Sequence, residues 1–396
     1  MATVIDLYYD PYDFDLDADP YPTFKRLRDE APLYENPELG FYALSRFDDV
    51  ERASVDWPVF QSSRGTVLEL IRTEWEVPPG LFIFEDPPLH DLHRSILSRV
   101  FTPRRMARIE QQVRDYCADV LDQRVGAGGF DFVADLGAQM PMRTIGMLLG
   151  IPESDQEAVR DRIDAGLRLD TGEMPTSGPE HDLTDGRFDS YLDWRADHPS
   201  DDLMTELLHA EFDDDTGVRR RLRRDELLTM VGLLAAAGNE TTTRLIGWTG
   251  KVLADHPEQR ADLVADASLI PGAVEELLRY ESPSPVQARW VASDVELHGQ
   301  TVPAGSAVLL LTAAANRDER RFANPDHFDV RRRIDHHVAF GHGIHFCLGA
   351  ALARLEGRVA LEEVLARFPT WEVDWSRAVR AHTSTVRGWE SLPVTT

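Results

Sequence analysis

A chain of 396 residues, 42% hydrophobic and 28% charged, is long enough for a large core and has the balance of a soluble globular protein. Its net charge of −27 argues against nucleic acid and anionic membrane surfaces as partners. Two distant cysteines, Cys117 and Cys347, give no disulfide framework and fit a reducing cytoplasm.

The acidic start, Met1 to Pro20, lacks the basic end and apolar run of a signal peptide. The longest apolar run, Met230 to Gly238, falls far short of a membrane span, so a cytoplasmic protein without a membrane anchor is expected. A helix is expected around Pro22 to Glu30, with strand-like pieces at Leu33-Tyr34 and Phe41 to Leu44. Pro87-Pro88 suit a helix start, and helical spacing runs from Leu89 through Phe101 and from Pro103 to about Leu121. Another helix spans about Ala138 to Leu149, where Gly150-Ile151-Pro152 breaks it. Residues 155–168 read as a helix, Asp170 to Gly186 as a polar surface loop, and Phe188 to Trp194 as an amphipathic piece.

The longest helical signal runs from Asp225 to about Asp255, on the order of 45 Å. Acids open it and His256-Pro257 closes it. Inside it, Ala235-Ala236-Ala237-Gly238 carries almost no side chain, with the glycine costing ~1 kcal/mol. That patch suits either close helix packing or a flat group lying against the helix. A helix over Leu269 to Tyr280 stops before Ser282-Pro283-Ser284-Pro285, and strand and hairpin signals follow from Trp290 to Leu311, with Pro303-Ala304-Gly305 as the turn. An irregular Arg/Asp-rich segment, Asn316 to Asp335, leads to the stretch Phe340 to Gly349, and Val386 to Val394 is strand-like. No linker or repeat interrupts the chain, so one large domain over residues 1–396, mainly α with small β-sheets, is expected.

The stretch Phe340-Gly341-His342-Gly343-Ile344-His345-Phe346-Cys347-Leu348-Gly349 holds one of the two cysteines inside a glycine-rich turn. Its glycines allow backbone N–H groups close to the sulfur, and the helix that follows adds the positive end of its dipole. Both favour the thiolate, the form that binds metal. No second Cys or His stands at finger-like spacing, so a zinc cage is not expected. A lone thiolate suits the axial position of a haem iron, where it favours O–O cleavage. The pattern Phe-Gly-x-Gly-x-His-x-Cys-x-Gly resembles the haem-binding loop of the cytochromes P450 at every fixed position, and the chain resembles the soluble bacterial members. The resemblance implies the P450 fold, thiolate-ligated haem b held by Cys347 as the metal ligand, and no covalent haem attachment, since Cys-x-x-Cys-His is absent.

The other constellations are weighed beside that loop. Glu240-Thr241 follows the side-chain-free patch, and an acid beside an alcohol suits proton delivery during dioxygen reduction. The pair resembles the family's oxygen-activation motif, with Thr241 and Glu240 catalytic and Ala237 and Gly238 against the cofactor. Glu276 and Arg279 lie three apart on one helical face and can pair; they match the family's structural Glu-x-x-Arg, with Arg331 or Arg332 as a third member. His90 and Arg94, Arg289 and His345 match the residues that hold the haem propionates, and Phe340 and Gly349 flank the ligand. By position, Phe82, Leu233, Ala236, Ala237, Pro285, Val286, Thr385 and Val386 line a substrate pocket, apolar enough for a hydrophobic small molecule.

Arginines at 94, 99, 104, 105, 108 and 114 make a local basic excess. The resemblance puts Arg99, Arg104, Arg105 and Arg108 on a face for an acidic ferredoxin, itself served by a ferredoxin reductase. It also makes the 170–186 run either a lid over the pocket or an insertion without a role. The expected activity is a monooxygenase using dioxygen. A hydrogen-peroxide-driven peroxygenase is disfavoured, because the family's dedicated peroxygenases carry Arg-Pro where this chain has Glu240-Thr241. A non-catalytic haem binder or sensor is the remaining alternative.

Overall fold

Arg224–Asp255 forms a single helix of 32 residues around which the rest is packed. The protein is described from a computed structural model, over residues 7–73, 75–99, 101–169, 172–175 and 187–396. The Glu226 carboxylate accepts the Arg223 backbone N–H at 2.7 Å, which satisfies a donor at the open N-terminal turn. Pro257 begins the next helix and so marks the stop. Most of the long helix is buried on every face, as expected of a helix at the centre of a large core. Its neighbours are a π-helical turn at Phe132–Gly137, the helices Met140–Leu149 and Ala350–Arg367, and the strand Arg387–Ser391. A Cβ on Gly250 would lie 2.5 Å from the Phe132 ring, so glycine is what lets that ring reach the helix backbone. The Trp248 indole donates to the Arg387 carbonyl at 2.8 Å and Trp371 to that of Gly250 at 2.9 Å.

A five-stranded sheet lies apart from this core, in the order Leu33–Asn36, Phe41–Leu44, Ala307–Leu310, Gln287–Val291, Phe60–Gln61. Only the pairing of 307–310 with 41–44 is parallel. The run Ala307-Val308-Leu309-Leu310 is apolar throughout because both its faces are covered. Ala307 and Leu309 join Phe24 and Leu27 in one core, and Val308 and Leu310 join Phe47 and Val50 in another. The helices Tyr21–Glu30 and Phe47–Val55 supply those two coverings.

The structure departs from the sequence reading in its boundaries. The helix from Leu89 ends at Ser98, because Thr102 caps the next one through the Arg105 N–H and Pro103 opens it. The helix expected from Ala138 is preceded by the π-helical turn, which the Asp131 carboxylate caps at the N–H groups of Val133 and Ala134. Between Trp290 and Leu311, a separate small hairpin (Val295–Leu297 with Gln300–Val302) turns at His298-Gly299, at φ 49° and 74°. Pro303-Ala304-Gly305 forms the expected turn, closed by the Ser306 N–H on the Pro303 carbonyl at 3.2 Å, and it returns the chain to the large sheet. The loop expected over 170–186 lies outside the described residues apart from 172–175. No helix among the described residues is long and apolar enough to cross a membrane.

Candidate functional site

The cysteine loop is seated by its glycines. Gly341 and Gly343 have φ of 69° and 72°, and a Cβ on Gly343 would lie 2.6 Å from the Ser54 carbonyl oxygen. The loop therefore rests directly on the end of the Phe47–Val55 helix. Gly343–His345 makes a short 3-10 turn, the Cys347 N–H donates to the Phe340 carbonyl at 2.8 Å, and Gly349 caps the helix Ala350–Arg367. Burial pushes the Cys347 thiol up, against the Gly349 N–H and the charges of Arg94 and Arg354, which pull it down. The N–H groups and dipole expected to favour thiolate are present, but burial outweighs them in the protein alone. Arg354 is fixed by a two-pronged pair with Glu275 at 2.6 and 2.9 Å and lies over the Phe340 ring. Burial raises the Glu275 pKa, but hydrogen bonds from His337 and Arg354 dominate and hold it at about 2.

Four groups from three parts of the chain converge on this loop. The His90 and His345 rings are 4.5 Å apart, and Arg94, one turn beyond His90, donates to the Phe346 carbonyl at 2.5 Å. Arg289, on the Gln287–Val291 strand, is buried and has no ion-pair partner among the described residues; its Nη1 donates to the adjacent Ala288 carbonyl. His345 is pushed down to about 2, first by burial and then by the charges of Arg289, His90 and Arg94. His90 Nε2 and both His345 ring nitrogens are buried without hydrogen-bond partners. Buried polar atoms are normally paired, so this concentration of donors and positive charge is built for an anion. A flat group carrying carboxylates, set beside the cysteine, fits that demand.

The long helix presents a matching surface. Its residues from Leu227 to Ala235 are buried, Ala236 and Gly238 are half-exposed, Ala237 is exposed and Thr241 half-exposed, after which burial resumes from Thr242. Within the side-chain-free patch Ala236 and Ala237 are thus left open, while Gly238 packs against Ile145, which a Cβ there would meet at 3.1 Å. The Thr241 hydroxyl turns back to the Ala237 carbonyl at 3.0 Å.

Glu240, the acid expected to deliver protons, is shielded from solvent. It is 3% exposed and clasped by Arg244, which also donates to the Trp389 carbonyl. Asp164, on the helix Glu153–Leu167, faces Glu240, and burial followed by the Glu240 charge raises its pKa. Asp164 is half-exposed as a residue, but its Oδ1 is buried without a hydrogen-bond partner. Sequence spacing could indicate the Glu240–Arg244 pair, four apart on one helix, but nothing in it indicates Asp164.

A second buried acid also escaped the sequence reading. Glu356 is 1% exposed, and neither carboxylate oxygen has a hydrogen-bond partner. The hydroxyls of Thr144 and Thr242 are near enough to lower its pKa, yet burial dominates and pushes it up to about 8; Thr144 itself donates to Met140. Ionising this group costs stability, which is full below about pH 4.5 and lost as pH rises through about 8. The loss across that window is on the order of 4 kcal/mol. Glu356→Gln is expected to flatten it, which urea unfolding at about pH 5 and about pH 9 would read.

The Glu-x-x-Arg pair is fully buried. Glu276 accepts from Arg279 at 2.7 and 2.8 Å, from Arg332 Nε at 3.1 Å and from the Asp329 N–H at 3.0 Å. Arg332 is thus the third member, while Arg331 pairs with Asp262. His93, without a role in the sequence reading, has Nδ1 2.7 Å from Glu85 and Nε2 3.9 Å from Glu226, all three buried. It ties the helix of His90 and Arg94 to the start of the long helix.

Of the expected pocket residues, the segments holding Pro285, Val286, Thr385 and Val386 are linked. Arg387 donates its N–H to the Pro283 carbonyl at 2.8 Å, and Ser284 donates to the Thr385 carbonyl at 3.0 Å. This places Pro285 and Val286 beside Thr385 and Val386. Phe82 packs under Arg94, 6.0 Å from ring centre to guanidinium, and Leu233 lies one turn before Ala237, buried. Of the basic face, Arg99, Arg104 and Arg108 are exposed, whereas Arg105 pairs with Glu206 and Arg114 with Glu110, Glu362 and Glu363.

Comparison with known proteins agrees with this geometry. The sequence model described as Cytochrome P450 matches residues 261–380. Putative cytochrome P450 123 of Mycobacterium tuberculosis is 40% identical over 98% of this chain and 97% of its own length. Cytochrome P450 monooxygenase PikC of Streptomyces venezuelae is 36% identical over 96% and 92%. The solved structure of cytochrome P450 CYP109Q5 from Chondromyces apiculatus superposes with a TM-score of 0.85 at 33% identity, covering 98% of this chain and 97% of that one. Family and fold imply haem held by a cysteine thiolate, together with dioxygen and redox partners. A buried donor cluster beside a loop cysteine, under a helix bared at Ala236 and Ala237, is therefore set in a chain that belongs to the cytochrome P450 family of monooxygenases.

Proposed function

We propose that this monooxygenase binds haem b through Cys347 and inserts one atom of dioxygen into a small hydrophobic molecule, by hydroxylation or epoxidation. The observation that carries this reading is the buried, unpartnered His90 Nε2 and His345 ring nitrogens, gathered with Arg94 and with Arg289, which has no ion-pair partner among the described residues, beside Cys347. These four would hold the two propionates, and the cation would supply the stabilisation that the buried Cys347 thiol lacks. When bound, haem iron supplies the centre at which dioxygen is reduced and split, one atom to substrate and one to water. Thr241 would turn its hydroxyl from the Ala237 carbonyl to hold a water, and Glu240 would pass protons received through Asp164. Phe82, Leu233, Ala236, Pro285, Val286, Thr385 and Val386 would enclose the substrate and exclude water. Exposed Arg99, Arg104 and Arg108 would receive an acidic ferredoxin, reduced in turn by its reductase, while Arg105 is partly neutralised by Glu206.

The test is the absorption spectrum of the reduced protein under carbon monoxide. A strongly red-shifted band establishes Cys347 thiolate ligation, confirmed by its loss in Cys347→His. A band of histidine or neutral-thiol type would overturn the reading. Thr241→Ala is expected to leave haem bound while diverting most reducing equivalents to hydrogen peroxide, read as peroxide formed per NADPH consumed in a reconstituted assay.

A further inference from the structure

Away from the donor cluster, the segment entering the cysteine loop carries a second group of ligating side chains. His336 and His342 stand at its two ends, their rings 4.9 Å apart. Glu51, on the Phe47–Val55 helix, approaches His336 Nε2 at 3.1 Å, and one ligand atom from each of the three residues lies within 4.8 Å of the others. His336 Nε2 is buried, and that approach lacks hydrogen-bond geometry. The frame around them is firm: Phe47 packs edge-on against His336 at 5.7 Å, and the left-handed glycines on either side of His342 seat the loop on the Ser54 carbonyl. The neighbouring charges are already committed, Arg321 to Asp335, His337 to Glu275 and His298 to Asp49.

We propose that Glu51, His336 and His342 form a second metal site, for a divalent transition ion of the zinc type, distinct from the Cys347 centre. Two imidazoles and one carboxylate are a recurrent three-ligand set for zinc, leaving the remaining position to water, and such donors also suit nickel and copper. Ligand atoms around tetrahedral zinc stand about 3.3 Å apart, so closing the set from its present spacing takes side-chain rotation alone. An ion there ties the Phe47–Val55 helix to both ends of the segment that delivers Cys347.

The test is titration of the haem-loaded protein with zinc chloride in a non-chelating buffer, followed by calorimetry and by the thermal midpoint. One equivalent is expected to bind with a rise in midpoint. His336→Gln, His342→Gln and Glu51→Gln should each weaken that event by ~100-fold, and the double histidine variant should abolish it together with the midpoint shift. His298→Gln, whose partner Asp49 lies on the same helix as Glu51 but outside the set, should bind as the wild type does. Unchanged binding by the double histidine variant, equal loss in His298→Gln, or no uptake by the wild type at micromolar zinc would overturn the site. An unchanged haem absorption spectrum shows that each variant has kept its fold.

Discussion

Glu276→Ala is expected to destabilise the protein by about 3–5 kcal/mol and to leave it largely without haem when purified. The carboxylate is fully buried and satisfies two guanidinium groups and one backbone N–H. Removing it leaves the fully buried Arg279 without its counter-charge, while Arg332 keeps the carbonyls of Ala323, Asn324 and His327. Arg279 would retain only its bonds to the carbonyls of Asn316 and Pro325. Total stabilities of globular proteins run to only about 5–15 kcal/mol, so the loss is a large share. Urea unfolding and the ratio of haem to protein absorbance would check it. A midpoint close to that of the wild type would mean the cluster contributes little beyond replaceable packing.

The second large effect is on rate. Glu240→Gln preserves the size of the side chain and keeps an acceptor for Arg244, yet removes the carboxylate proposed above to pass protons. Turnover is expected to fall by ~10²–10⁴-fold, the usual range for a lost general acid, with substrate affinity nearly unchanged. Asp164→Asn should lower turnover as well, if the buried acid is recharged through that half-buried carboxyl. Asp164 has its pKa raised by burial and by the Glu240 charge, so Glu240→Gln should also shift the Asp164 titration downward, toward ordinary aspartate. Product formation across pH for both variants separates the roles. Turnover within twofold of wild type in Glu240→Gln would show that this carboxylate moves no proton in the reaction.

How far the site was legible depends on the kind of interaction. Local signals read well: the glycine turn around Cys347, the small-residue patch at Ala236–Gly238, and the three-residue spacing of Glu276 and Arg279 all depend on neighbours close in sequence. Arg332, left as one of two alternatives, is selected by reach, since its Nε meets Glu276 while Arg331 turns outward to Asp262. Contacts between distant segments were invisible. Asp164 against Glu240, His93 between Glu85 and Glu226, and Glu51 beside His336 each bring together residues whose own surroundings look like solvated surface. The boundaries at Ser98 and Met140 moved because caps, Thr102 and Asp131, outranked the apolar spacing.

The anchoring of the long helix also governs the order in which this chain can mature. Arg244 is capped by the Trp389 carbonyl, Trp248 by that of Arg387, and Phe132 donates its N–H to Leu392. The segment 387–392 is thus built into the centre, although Arg244 and Trp389 lie 145 residues apart. During synthesis the helix emerges after its neighbours Phe132–Gly137 and Met140–Leu149 but well before 387–392, so the face that Arg387 and Trp389 cover stays open until they follow. A nascent chain halted before Arg387 should therefore be far more open to protease than one that includes residues 387–392.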